Sequence, residues 1–543
     1  MIREQLESFV ATAREQGAPV ARFVEREVRA YLACGVLAHG FLRVHCDGCG
    51  HDRLVAFSCK GRGFCPSCGG RRMADTAAHL VERVLPEVPV RQWVLTLPYP
   101  LRYRCAWDAA LTSQVLRAFL RALFADQRRR ARQQFGVRGG LCGAVSFIQR
   151  FGSALNLTPH FHSLVLDGVY PGPAYRPGPF LPLAPPETED VARVMAGTAR
   201  RVMRLLEARG LERGDDALAT DDPLRATLMA ASVRSRIASG PEAGLPWRRL
   251  GDRVEPEAGT LEAQPRPAPP RCVREGGMSL HADVAVPGRD RRRLERLCRY
   301  VARPPLASER LEALPDGRLT YRLKSRWRDG TTHILMERHE LLERLAPLIP
   351  PPRAHQVRYH GVLAPSAASR DRIVPACAQA GGVAVARCAG EPGRAVAAVS
   401  PSGPRPARPE AARQPVPESA PGGRPGRQAA SAAPRGEPPQ RGPGHPPAAP
   451  ARRRRLAWSA LLQRVFRVDV LECPRCGGRM RILAAIHQPA VARRILACLG
   501  LPARAPPLAP APPLAFDTSE HVPEPTDFES FDQTPPGDWD VGA

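Results

Sequence analysis

Two Cys-x-x-Cys pairs, Cys46/Cys49 and Cys65/Cys68, stand 15 residues apart in the stretch "CDGCGHDRLVAFSCKGRGFCPSCGG". Four thiolates at such a spacing can surround one zinc ion tetrahedrally, and the ion then closes a loop-rich fold that has little core of its own. The spacing predicts a zinc ribbon with Cys46, Cys49, Cys65 and Cys68 holding a structural Zn²⁺, with Cys59 and His51 inside the loop as alternates. Disulfides are the competing use of cysteine, and they suit small secreted chains. This chain has 543 residues and opens on the charged, amphipathic "MIREQLESFVATAREQ" with no apolar signal core, which points to a reducing compartment. A third pair, Cys473/Cys476 in "LECPRCGGRMRI", is a possible second zinc site, although His487 and Cys498 lie at no standard offset from it.

The net charge of +26 and a pI near 10.5 call for an acidic partner, and nucleic acid is the commonest large polyanion. Only Lys60 and Lys324 among the 79 basic residues are lysine, so a coding bias toward arginine contributes to that charge. No apolar run of about 18 residues occurs, so no membrane-spanning helix is expected. No G-x-x-x-x-G-K-[S/T] phosphate loop is present, so no nucleotide cofactor is expected.

Residues 1–75 read as an amino-terminal helix and the zinc-binding domain. Over 76–365, strand patterns ("VRQWVLTLP", "AVSFIQRFG", "HFHSLVLDG", "RLTYRLK", "TTHILME") interleave with helical ones at 107–133, 189–208, 289–302 and 338–348. That order, with a short link between residues 152 and 160, suits an α+β domain built on a largely antiparallel sheet flanked by helices. The stretch 209–275 has weak periodicity and receives no assignment. Residues 366–455 are dominated by Pro, Ala, Gly and Arg and are expected to be a disordered basic linker. A small module is expected at 456–503, then a disordered acidic tail over 504–543, which carries eight acidic residues and no basic one after Arg504.

On a strand, residues two apart share a face, so His160 and His162 of "TPHFHSLVLDG" project together while Phe161 faces away. Two imidazoles side by side can chelate a divalent ion. In an antiparallel hairpin Gln149 falls opposite the pair, and two histidines with one oxygen ligand leave open positions, as a catalytic metal site requires. A bare His-x-His also arises by chance. Tyr300 lies on a very basic helix that ends at Pro304. A phenol ionises at about pH 10 in water, so attack by one needs help from a metal that polarises the phosphate and from arginines that hold the DNA backbone. Taken alone, Tyr300 also reads as a packing residue.

The order of the four-cysteine ribbon, "FIQRFGSALNLTPHFHSLVLDGVY", "RYVARPPLASERL", "LKSRWRDGTTHILMERHELLERLA" and "RYHGVLAP" resembles rolling-circle transposases of the insertion-sequence ninety-one group, especially their common-region branch. The resemblance runs from about residue 20 to 365, and "DVLECPRCGGRMRILAAI" resembles their carboxy-terminal module. It implies a nuclease domain of the histidine-hydrophobe-histidine (HUH) class at 76–365. There His160 and His162 would hold Mg²⁺ or Mn²⁺, and Tyr300 would attack single-stranded DNA at the element ends to leave a 5′-phosphotyrosine and a free 3′-hydroxyl. Gln149 as a third ligand comes from the hairpin geometry. Arg299, Arg303, Arg326 and Arg328 are the expected DNA contacts, with Phe147, Phe151 and Trp327 as stacking candidates. The chain is expected in the bacterial cytoplasm, associated with the nucleoid. Two-tyrosine relatives carry Y-x-x-x-Y, whereas Arg296 stands four residues before Tyr300. This chain therefore resembles a single-tyrosine member, which leaves a 3′-hydroxyl, a second subunit, Tyr321 or Tyr359 for the second transfer step. The alternatives are a relaxase or replication initiator with the same chemistry, and a zinc-ribbon DNA-binding protein that does not cut.

Overall fold

The computed structural model describes residues 1–211, 217–251, 270–327, 329–375 and 457–509. Arg328, nearly all of the expected linker and most of the expected acidic tail lie outside the described residues.

A seven-stranded sheet forms the centre. Its path runs Val357–Gly361, Gly143–Phe151, Leu157–Leu166, Val90–Thr96, Met278–His281 and Cys272–Glu275, and Ala285–Val286 also pairs with Val90–Thr96. The pairings are antiparallel. Burial is nearly continuous along Val90–Thr96 and Gly143–Phe151 because helices cover both faces. On one face Trp93, Leu95, Phe161 and Val165 pack with residues of the helices Ala109–Phe135 and Thr188–Ala208. Asp108 caps the first of these helices by accepting from the Leu111 amide, and Gly136 ends it in the left-handed conformation at φ 67°. On the other face Phe147, Leu164 and Leu166 pack with Ala77 and Leu80 of helix Pro66–Arg83, and with Leu294 and Leu297 of helix Arg291–Val301. These two helices approach closely. A Cβ on Gly69 would lie 2.5 Å from Cβ of Pro304, just beyond the second helix.

The stretch that periodicity left unassigned contributes helices Ala217–Asp221 and Pro223–Val233 and strand Arg248–Gly251. That strand is the edge of a four-stranded sheet whose other members are Leu311–Ala313, Leu319–Arg322 and Thr331–Met336. Four-residue strands carry too little pattern to be read, and the partner of this one arrives some 80 residues later.

The carboxy-terminal residues 457–509 do not stand apart as a module. Strand Met480–Ile486 pairs with Phe41–Cys46, which in turn pairs with Asp52–Ala56, giving one three-stranded sheet from both ends of the chain. With no other strand in its own segment among the described residues, Met480–Ile486 can satisfy its backbone groups only on a distant partner. Helix Trp458–Phe466 packs on Pro66–Arg83, and Arg464 bridges Glu295 at 3.1 Å and Glu82 at 3.7 Å. The end of the chain thereby braces the helix that carries Tyr300.

Candidate active site

Strand Leu157–Leu166 lies between Gly143–Phe151 and Val90–Thr96, with His160 opposite both Gln149 and Thr96, and His162 opposite both Phe147 and Val94. Residues directly opposite share a face, so the two imidazoles, Gln149 and Thr96 project together, while Phe161 is fully buried on the far side. The Nε2 atoms of His160 and His162 are 3.0 Å apart. His160 Nδ1 donates to the Thr158 carbonyl at 2.6 Å, which leaves its Nε2 lone pair facing the partner ring. His162 Nδ1 lies 2.6 Å from the Gln92 carboxamide. With the amide nitrogen toward the ring, His162 carries its proton on Nε2 and donates to His160. Turning the carboxamide over puts the proton on Nδ1 and frees both Nε2 lone pairs. Burial pushes His160 down to about 4 and His162 well below its usual value, with the Arg303 charge adding to both shifts. Both rings are therefore neutral at physiological pH, the form that binds metal.

Gln149 is buried, its Nε2 donates to the Val301 carbonyl at 2.8 Å, and its Oε1 has no partner. One side chain thus ties the histidine hairpin to the helix that carries Tyr300 while leaving a carboxamide oxygen beside the imidazoles. A buried polar atom without a partner is costly unless a ligand completes it. Two converging Nε2 atoms and this oxygen fit a divalent ion with open positions. Tyr300 is half-buried near the end of helix Arg291–Val301, its ring 6.0 Å from that of His162 and nearly perpendicular to it. The Arg303 guanidinium lies over the Tyr300 ring at 4.1 Å and the Lys324 ammonium at 4.7 Å, which orients the phenol by cation–π attraction. The expected metal ligands and nucleophile therefore meet at one place.

The other expected residues divide. Arg303 belongs to the site. Arg299 is held by Glu295 at 2.9 Å, and Arg326 is exposed. Phe151 lies under the Arg303 guanidinium at 5.4 Å, and Phe147 is packed inside the core. Tyr321 is fully buried in the four-stranded sheet, and Tyr359 pairs with Val145, four positions along the strand from Gln149.

The four expected zinc ligands do not share one ion. Cys65 and Cys68 group with Cys34 and Cys59, whereas Cys46 and Cys49 group with Cys473 and Cys476, and within each group all sulfurs lie within 4.8 Å of one another. A zinc–sulfur bond of about 2.3 Å puts tetrahedral sulfurs about 3.8 Å apart. In the first group Cys34–Cys68 and Cys34–Cys65 are at 3.8 Å and Cys59–Cys68 at 3.3 Å. In the second, Cys46–Cys476 and Cys49–Cys473 are both at 3.5 Å. The physical reason for the split is the hairpin between the pairs. Cys46 and Cys49 sit at its tip, and strand Asp52–Ala56 carries the chain back to its base, about 15–20 Å away at 3.3 Å per residue. There Cys59 and the start of helix Pro66–Arg83 meet Cys34, which follows helix Arg22–Leu32. Hydrogen bonds from Cys59 and Cys65 pull the Cys34 thiol down to about 6, and Arg71 donates to Cys68 Sγ at 3.4 Å, while the same sulfur contacts push Cys59 and Cys65 up, so within this group two of the four sulfurs favour the thiolate that zinc requires. His487 and Cys498 complete neither group: His487 stacks on Phe57 with ring centres 4.6 Å apart, and Cys498 is exposed.

Residues 1–97 match the family model Zn_Tnp_IS91, described as "Transposase zinc-binding domain", and residues 143–371 match Y2_Tnp, described as "Putative transposase". Together the two matches span more than half of the chain. It belongs to the IS91-type transposases. No curated protein and no solved structure matches it significantly. In this transposase the zinc-binding match contains the Cys34 group and the strand that carries Gln92, while the second match contains His160, His162, Gln149 and Tyr300. Among the described residues no helix is long and apolar enough to cross a membrane. Sequence reasoning missed Gln92, Lys324 and Cys34, which the structure brings to these sites. A glutamine between Arg91 and Trp93 in a short strand was the available signal for Gln92, but the strand beside it was not known.

Proposed function

We propose that this transposase cuts and joins single-stranded DNA through Tyr300 by the HUH chemistry of rolling-circle transposition. The observation that carries the reading is the convergence of the His160 and His162 Nε2 atoms, 3.0 Å apart, with the partnerless Gln149 Oε1 and the Tyr300 ring on the same face. His160, His162 and Gln149 would hold Mg²⁺ or Mn²⁺, which when bound supplies Lewis-acid polarisation of the phosphate. The Tyr300 hydroxyl oxygen forms a bond to phosphorus as the bond to the 3′-oxygen breaks, and the phenolic proton is balanced by one taken up on that 3′-oxygen. The phosphodiester energy is retained in the 5′-phosphotyrosine, so rejoining to a 3′-hydroxyl needs no nucleotide cofactor. Thr158 and Gln92 set the tautomers of the two imidazoles, and Arg303 and Lys324 orient the phenol while drawing the DNA backbone inward.

Incubating the protein with single-stranded oligonucleotides that carry the ends of its element, with and without Mn²⁺, tests this. The expected products are a strand with a polymerase-extendable 3′-hydroxyl and a partner strand whose 5′ end is blocked by protein. Binding without cleavage, across ions and substrates, would favour a zinc-ribbon DNA-binding protein that does not cut.

A further inference from the structure

Buried arginines in this protein generally have acidic partners or fully engaged terminal nitrogens. Arg91 pairs with Asp167 at 2.7 Å, Arg344 with Glu340 at 3.0 Å, and Arg130 lies 3.6 Å from Asp190. Arg150 directs its two terminal nitrogens to the carbonyls of Ala106 and Pro347. Arg102 differs. It is 6 % exposed, its Nε donates to the Leu97 carbonyl, its guanidinium leans on the Tyr99 ring at 4.7 Å, and its Nη1 is buried with no partner.

Its place in the fold gives that nitrogen a use. The strand Val90–Thr96 ends at Thr96, directly opposite His160, and after Leu97 and Pro98 the chain enters helix Tyr99–Trp107, which packs on the histidine strand. Arg102 therefore sits in the first turn of that helix, six residues past the residue that faces His160, and its charge, with that of Arg303, bears on the His160 ring. Lys324 adds a third cation over Tyr300. The charges that bear on the two imidazoles, among the described residues, are cationic. Tyr99 and the Leu97 carbonyl engage part of this guanidinium, and the open Nη1 in such a field is matched by an incoming anion.

We propose that Arg102 binds a non-bridging oxygen of the scissile phosphate, making it a catalytic residue of the strand-transfer site. This rests on the tyrosine-transfer reading above. Attack at phosphorus adds negative charge to the non-bridging oxygens, and a preorganised guanidinium in a site closed to water stabilises that charge more than the ground state. The lysine-to-arginine difference also matters, because the fork of the guanidinium can keep the Leu97 contact while presenting Nη1 to the phosphate.

The test compares covalent adduct formation by the full-length wild type, Arg102→Ala and Arg102→Lys on two single-stranded oligonucleotides, one with a normal phosphodiester at the cleavage position and one with a neutral methylphosphonate there. Arg102→Ala is expected to lose about 10²–10³-fold in rate on the phosphodiester. The ratio of methylphosphonate to phosphodiester rates should rise by a similar factor, since the neutral linkage removes the charge that Arg102 meets. Arg102→Lys should fall between. A ratio that stays at the wild-type value, including no cleavage of the methylphosphonate by either protein, overturns the proposal, because a packing role would slow both substrates alike. Wild-type rates in Arg102→Ala on the phosphodiester overturn it too. A wild type that forms no adduct on the phosphodiester removes the tyrosine-transfer reading itself and this role with it.

Discussion

Each of the three side chains at the heart of the site has one end fixed by protein and the other left for chemistry. His160 is fixed through Nδ1, His162 through Nδ1, and Gln149 through Nε2. Substitutions at Gln149 change the metal-facing oxygen and the tie to the Val301 carbonyl together, because neither a carboxylate nor an aliphatic side chain can donate there as Nε2 does. Gln149→Glu presents a charged oxygen, a better ligand for a hard cation, and should lower the Mn²⁺ concentration for half-maximal cleavage by about tenfold. Gln149→Leu removes the oxygen and the tie to Val301, and should raise it by about tenfold or more. A metal titration of cleavage rate, with a melting curve for each variant, checks both. Part of this was legible in the sequence, because the two-residue period of a strand places His160 and His162 on one face, and the short antiparallel link brings Gln149 opposite them. Gln92 and Arg102 were not, since their roles depend on Val90–Thr96 lying beside the histidine strand, a pairing over some 70 residues that no local pattern encodes.

At the scale of elements, the helices Pro66–Arg83 and Arg291–Val301 form the joint between the zinc-binding and transfer parts of the molecule. The contact of Gly69 with Pro304 leaves no room for a methyl group. Gly69→Ala should destabilise the protein by about 1–3 kcal/mol through overpacking and slow adduct formation by displacing the Tyr300 helix. Gly70→Ala is the matched control, because its nearest neighbour, Val465 Cγ1, is at an ordinary 3.5 Å. Urea unfolding and adduct rates for the pair decide between them. The elements also explain why the cysteines misled. The Cys46/Cys49 and Cys65/Cys68 pairs have ribbon spacing in sequence, but a hairpin holds them apart, and Cys34 and Cys473 lie outside the window in which a spacing motif is sought. Two metal-binding groups predict two zinc ions released per chain under denaturing conditions. Cys473→Ser should release one and retain the Cys34 group, and two ions from that variant would contradict the shared site.

For the whole molecule, the second cysteine group joins residues 424 and 430 positions apart and so ties Cys473 and Cys476 to the tip of the hairpin Phe41–Ala56. That tie, and the strand pairing beside it, was invisible to a reading that treated the carboxy-terminal residues as a separate module. The overall charge of +26 was legible, and part of it is local: Arg303 and Lys324 lie over the Tyr300 ring. Binding to single-stranded DNA should weaken with salt, with a slope of about −0.7 per phosphate contacted, and Arg303→Gln should flatten that slope by about one such increment. Fluorescence anisotropy across a salt series reads this directly. The central claim is that Tyr300 becomes covalently joined to DNA. The measurement that tests it is peptide mapping by mass spectrometry of the denaturant-stable adduct formed with single-stranded element ends and Mn²⁺, in the wild type, Tyr300→Phe and His160→Ala. The account predicts a nucleotide-modified peptide at Tyr300, absent in Tyr300→Phe and strongly reduced in His160→Ala. A modified peptide at any other residue, or an adduct that persists in Tyr300→Phe, would contradict it.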